Sequence, residues 1–138
     1  LLFDGLKGTA AALVGYRIGG PQLALLGCMG ALLGHVFPIW LGFKGGKGVA
    51  TFIGCLFGVA WPAGLAFGAV WLIVAAVTRY SSLSALIGTI ATPFVLWAFG
   101  YGAAAQVFAL LGLLVVLKHH ENIRRLIAGT ESKIGKKG

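Results

Sequence analysis

Three polar clusters in this chain have residue types that can do chemistry. The first runs from Lys44 to Thr51 and opens with Lys44-Gly45-Gly46-Lys47-Gly48, two lysines among three glycines with no acid nearby. Successive glycines let backbone N–H groups turn into one concavity that holds an anion. The apolar run that resumes at Val49 reads as a helix, whose free first-turn N–H groups and positive dipole end add to the effect. The chemistry predicted is phosphate binding, with a flexible basic loop at a membrane boundary as the plain alternative. A Walker loop is excluded, because Gly48 rather than Ser or Thr follows Lys47 and no strand precedes the loop. The second cluster is Lys118-His119-His120-Glu121-Asn122-Ile123-Arg124-Arg125-Leu126. Read as the continuation of a helix, it puts His119, Asn122 and Leu126 on one face with Arg125 beside them. Leu126 is expected to pack, which leaves His119, Asn122 and Arg125 as a polar trio. Histidine can accept a proton or donate to a phosphate; an interfacial basic helix on lipid headgroups is the alternative. The third cluster, Arg79 with Ser81, Ser82 and Ser84, either extends the anion site or caps the following helix, and capping is favoured. His35, just before Phe37-Pro38, reads as a structural residue or as a support behind the site, and Glu131, one of only three acids, reads as an anchor for a basic partner. Three histidines and three acids never gather at metal-ligand spacing, so no metal site is expected.

The elements that must position these clusters are membrane helices. Of 138 residues, 59% are hydrophobic and only 10% charged, against about 25% charged in a soluble domain. The chain reads as an all-α, polytopic integral membrane bundle, one domain over residues 1–138 with a basic tail at 118–138. Six apolar runs are predicted: Leu1 to Ile18, Gln22 to Gly42, Val49 to Ala60, Ala63 to Thr78, Leu83 to Phe99 and Ala103 to Leu117. Gly19-Gly20-Pro21 breaks the first from the second, and Pro93 is expected to kink the fifth. This parse puts Lys7, Lys44, Lys47, Arg79, Lys118, Arg124, Arg125, Lys133, Lys136 and Lys137 on one side and only Arg17 on the other. The positive-inside rule makes the first side cytoplasmic, and all three polar clusters fall there. Trp40, Trp61 and Tyr101 sit at predicted boundaries, as interfacial aromatics do.

The net charge of +8 fits basic loops against an anionic leaflet or an anionic substrate; nucleic acid is excluded by the apolar content. Asp4 and Lys7, three apart, can pair on one helix face. Gly15/Gly19, Gly30/Gly34, Gly54/Gly58 and Gly64/Gly68 have the small-xxx-small spacing of close helix packing in lipid. Cys28 and Cys55 lie in apolar runs and read as small packing residues. The chain opens on Leu1 inside an apolar run without a signal-peptide pattern, and an N-terminal truncation is the simplest expectation.

Gly34-His35, Phe43-Lys44-Gly45-Gly46-Lys47-Gly48-Val49-Ala50-Thr51 and His119-x-Glu121-Asn122-Ile123-x-Arg125-Leu126-x-x-Gly129-Thr130-Glu131 closely resemble motifs of the PlsY family. Asp4-x-x-Lys7-Gly8 and Arg79-Tyr80-Ser81-Ser82-Leu83 are similar to it as well. These are integral-membrane glycerol-3-phosphate acyltransferases that use acyl phosphate. The resemblance implies seven helices and three cytoplasmic motifs, of which this chain carries the last six helices and the second and third motifs. The family's first motif, Gly-Ser-Gly-Asn-(Ile/Val)-Gly-Ala-Thr-Asn followed shortly by Arg, has no counterpart here, and the 138 residues alone are expected to be inactive.

By the resemblance, Gly45, Gly46, Lys47 and Gly48 hold substrate phosphate with Lys44 beside them. Lys47 is the stronger lysine. His119 and Asn122 orient substrate at the reacting centre, and Glu131 is a structural anchor. Thr51, Arg79, Ser82, Arg125 and His35 support them. The implied partners are glycerol 3-phosphate, acyl phosphate and membrane lipids, with a functional link to a phosphotransacylase that makes the donor; no cofactor is implied. The implied place is a bacterial inner membrane, with the site facing the cytoplasm. The base is either His119 or a substrate phosphate oxygen. The His-x-x-x-x-Asp pattern of the other large acyltransferase class is absent, since the one aspartate is Asp4. A small anion transporter or anionic-lipid-binding protein is the alternative, but the runs after Thr51 contain almost no midplane polar residues and no inverted repeat is visible.

Overall fold

The computed structural model describes residues 1–136. Lys137, counted above among the cations of one face, and the last residue of the 118–138 tail lie outside the described residues. The described residues form helices joined by short loops: α1 (Leu2–Val36), a 3-10 turn (Ile39–Leu41), α2 (Val49–Val59), α3 (Trp61–Thr78), α4 (Ser81–Ala98), α5 (Gly102–Lys118) and α6 (His120–Ile127).

Helix α1 is two helices in one. Gly19 leaves the helix (φ −154°, ψ 27°) and Gly20 has φ +75°, ψ −160°, a conformation open to glycine because it has no Cβ. Pro21 then starts the second arm, where its missing N–H costs nothing. The arms fold back on each other: a methyl on Gly27 would strike the Ala11 carbonyl. All six predicted runs are therefore helical. The second stops at Val36 rather than Gly42, because Pro38 offers no N–H and biases Phe37 away from helix. Pro93 sits inside α4 without ending it, and the Thr92 hydroxyl donates to the Gly88 carbonyl at 2.8 Å.

Among the described residues, three helical stretches can cross a membrane by length and composition, or four if the bent pair α5 and α6 counts as one. The first of these contains both arms of α1. Helix α2 has 11 residues, about 16 Å at 1.5 Å per residue, roughly half the hydrocarbon thickness. It does not cross alone, as a full third span would. Instead it is the buried centre, with Thr51, Phe52, Cys55 and Leu56 wholly covered. Phe52 meets Phe108 edge-on at 5.1 Å and Phe67 at 6.1 Å between ring centres. Cys28, Leu32, Val36, Leu96 and Val115 fill the space around them. Cys28 and Cys55 are free and packed, each sulfur near the other's carbonyl.

Small residues bring α2 onto the first arm. Gly54 lies on the Gly5 carbonyl, and a methyl on Gly58 would be 2.6 Å from that of Ala12. The Thr9 hydroxyl crosses to the Gly54 carbonyl at 2.7 Å. Gly30, Gly34 and Gly68 face no atom within 4 Å, so the small-xxx-small spacing marks close packing at some pairs only. Leu72, Ile73, Val77, Phe94, Leu110 and Leu113 are exposed and form the lipid-facing surface.

Candidate active site

The break between the arms of α1, the end of α2 and the loop before α5 share one end of the bundle. The other end gathers the loop at 37–48, the α3–α4 junction and the tail beyond α5. There the loop is built on the last turn of α1. The Gly45 amide donates to the Val36 carbonyl at 3.1 Å and the Phe43 amide to Pro38 at 2.9 Å. A side chain on Gly45 would strike the His35 carbonyl, and one on Gly46 would meet His35 Nε2. Gly48 enters α2 at φ +88°. These glycines are thus required by the contact with α1 as well as by any anion. Beyond Gly45 the pattern changes: the amides of Gly46, Lys47, Gly48 and Val49 donate to no acceptor among the described residues. These four donors stand open where the chain enters α2 at Val49.

The tail is built the other way. The chain bends 62° between α5 and α6, so the predicted straight continuation of the sixth helix is corrected: His119 sits at the corner. Its Nδ1 is 2.7 Å from the Val115 carbonyl. A carbonyl only accepts, so Nδ1 carries the proton and Nε2 keeps its lone pair. Helix α6 ends before Gly129 (φ +70°), and the chain returns to place Glu131. Its Oε1 accepts from Ser82 Oγ at 3.0 Å and Asn122 Nδ2 at 2.9 Å, and its Oε2 accepts from Arg125 Nε at 2.7 Å. Burial opposes the Glu131 charge, but the hydrogen bonds from Asn122, Arg125 and Ser82 and the Arg125 charge outweigh it. Its pKa therefore lies below the usual 4.5. Asn122 Oδ1 is buried with no partner among the described residues.

A cavity of about 850 Å³ joins the two constructions. Lys47, Ser82, His119, Asn122 and Glu131 form its polar end. Ile53, Phe57, Leu65, Phe67, Trp71 and Leu72 line an apolar trough running along α2 and α3. Of the residues predicted for the site, these five polar ones are brought together. Lys44 is exposed outside the cavity, and Thr51 is buried in α2 with its hydroxyl unpaired. Arg79 does not line the cavity. Its Nη2 donates to the Ile134 carbonyl at 2.8 Å, and its own carbonyl accepts from the Ile134 amide at 2.7 Å. The expected side-chain cap on α4 is absent. The Asp4–Lys7 pair is present at 3.0 Å, and it reaches His35. The separation of 28 residues between Lys7 and His35 gives no signal until helix lengths are known.

Residues 1–129 match the family described as glycerol-3-phosphate acyltransferase. The chain belongs to that family. The glycerol-3-phosphate acyltransferase of Nitrobacter winogradskyi is 57% identical over 137 residues, covering 99% of this chain and 70% of that protein. That of Brucella anthropi is 56% identical, covering 100% of this chain and 68% of that protein. The crystal structure of PlsY, an integral membrane glycerol 3-phosphate acyltransferase, superposes with TM-score 0.91 at 36% identity in both its glycerol 3-phosphate and lysophosphatidic acid forms. Each covers 96% of this chain, and this chain covers 68% of the glycerol 3-phosphate form and 69% of the lysophosphatidic acid form. The resemblance read from the motifs is borne out, and with it the all-α membrane fold of a PlsY acyltransferase.

Proposed function

We propose that this acyltransferase moves an acyl group from an acyl phosphate to a hydroxyl of glycerol 3-phosphate, giving lysophosphatidic acid and phosphate. The observation that carries the reading is the two-part cavity. Its polar end is lined by Lys47, from a loop whose amides at residues 46–49 are free and of which Lys47 and Val49 line the cavity while Gly45, Gly46 and Gly48 do not, and its trough is apolar along α3. A substrate with an anionic head and a hydrocarbon tail matches both parts. In the transfer, the hydroxyl oxygen bonds to the acyl carbon and the bond from that carbon to the phosphate oxygen breaks. The hydroxyl proton passes to His119 Nε2 or to a phosphate oxygen. The donor is a mixed anhydride with a good leaving group, so the residues need to orient and neutralise rather than activate. Asn122 Oδ1, unpaired, is the acceptor left to hold a substrate hydroxyl, and Glu131 keeps the amide turned that way. The basic residues of this end support a cytoplasmic orientation in a bacterial inner membrane. A phosphotransacylase-type reaction would have to supply the donor.

The test is transfer from palmitoyl phosphate to labelled glycerol 3-phosphate by full-length protein in detergent. Lys47→Ala and His119→Ala are each expected to lower kcat/KM by about a hundredfold or more. No transfer by the wild type, or full activity in both variants, would sink the mechanism. The transporter alternative gains no support, since the cavity's polar side chains gather at one end.

A further inference from the structure

We infer that Asp4, Lys7 and His35 form a positioning chain for the phosphate loop, holding the His35 ring so that it props Gly46 and, through it, Lys47. The inference rests on the acyltransferase reading of that loop. Asp4 and Lys7 belong to the first arm of α1, and His35 to the last turn of the second. Lys7 Nζ lies 2.7 Å from His35 Nδ1 and 3.0 Å from Asp4 Oδ1, which is itself 3.3 Å from His35 Nδ1. An ammonium has only hydrogens to give, so at its shorter contact, 2.7 Å to Lys7 against 3.3 Å to Asp4, Nδ1 accepts. The ring is then neutral with its proton on Nε2, and that edge faces the loop.

The contact is close: a methyl on Gly46 would be 2.5 Å from Nε2. His35 and Val36 together carry the loop, His35 through its ring against Gly46 and Val36 through its carbonyl to Gly45. No backbone bond among the described residues holds the amides of residues 46–49. The ring is therefore the last support before Lys47. Asp4, Lys7 and His35 do not line the cavity, so their effect on substrate must pass through the loop. In a chain with so few charges, an acid and a cation at one helix end spend their pairing on orienting this ring. Without Lys7, the imidazole is free to take the other tautomer and to rotate, and Lys47 loses a fixed place.

The test uses full-length protein in detergent, with two independent readouts. Two-bond ¹H–¹⁵N NMR of His35 needs no turnover: a neutral Nε2–H ring is expected, and a charged or Nδ1–H ring overturns the inference. Kinetics then separate KM from kcat. Lys7→Met and His35→Asn are each expected to raise KM for glycerol 3-phosphate about tenfold, the size of one charge-assisted hydrogen bond, with kcat within about threefold. The double variant should be no worse than either single one, because both cut the same chain. Lys7→Arg keeps a donor and should bring KM back to within about threefold of wild type. Unchanged KM in Lys7→Met, additive losses, or a fall in kcat alone overturns the inference. If Lys7→Met fails to fold, Asp4→Asn decides, with a rise in KM of about threefold expected and no rise overturning it. A wild type without transferase activity overturns the acyltransferase reading, and the NMR readout then judges this inference alone.

Discussion

Glu131 and the amides of Gly46 to Val49 lie at the same end of the bundle, and they are satisfied in opposite ways. The carboxylate takes hydrogen bonds from Ser82 of α4 and from Asn122 and Arg125 of α6, so both of its oxygens are spoken for. The amides have no acceptor among the described residues. A buried polar group that the fold satisfies completely is scaffold, whereas donors that it leaves open are costly unless a ligand fills them. The difference gives the two motifs separate roles. On the reading proposed above, Glu131 fixes positions within the tail while His119 and Asn122 face substrate, and the loop keeps its donors for an anion.

The strongest way to break this comparison is Glu131→Ala. It would leave Asn122 and Arg125 without their acceptor, with an expected loss of about 2–3 kcal/mol in folding stability and of activity as a consequence. The value sits below that of a fully buried pair because Arg125 is 43% exposed. Unfolding in detergent measures it, and Lys47→Ala should leave the same unfolding curve in place. A melting loss in Lys47→Ala equal to that in Glu131→Ala would erase the distinction.

A pH series sharpens it. The pKa of Glu131 is depressed in the folded state, so its contribution is complete above the unfolded value and lost as pH falls through the folded one. The stability gap between wild type and Glu131→Gln should be constant from pH 7 to about 5 and close below about 4.5. The smallest effect is expected at Arg79→Ala. It removes one side-chain hydrogen bond to Ile134 and keeps the backbone one, for about 1 kcal/mol at most. Transfer rates should stay within about twofold, since only that one bond is lost; a large fall would place Arg79 in the site rather than on the tail.

Much of this is legible in the sequence because membrane helices write themselves into composition. The ends of α3, α4 and α5 lie close to the limits of the apolar runs, and Gly19-Gly20-Pro21 marks the turn of the hairpin. Hydropathy overextends the second arm because it continues through Ile39-Trp40-Leu41, while the helix obeys Pro38. The bend at His119 carries no glycine or proline; it goes with side-chain bonds from His119 back to the Val115 carbonyl four residues earlier and from Asn122 to Glu131 nine residues on. Lys47, His119 and Asn122 are readable from type and spacing. The pairing of Arg79 with Ile134 is not, because it runs through a backbone carbonyl that any residue would supply. The Lys7–His35 contact needs the hairpin's geometry, which turns 28 residues of separation into 2.7 Å.

The trough along α3 has one wall that is also the outside of the protein: Leu65 and Leu72 line it and are 56% and 64% exposed. On the acyl-phosphate reading proposed above, a hydrocarbon tail lying there would touch the bilayer along its length. Its entry and departure are then lateral partitioning between two oily phases, with no hydrated intermediate and little solvation barrier. On that reading only the polar head would cross from water, the protein would act as a fixed point of phase transfer, and its turnover should respond to the fluidity and composition of the surrounding lipid.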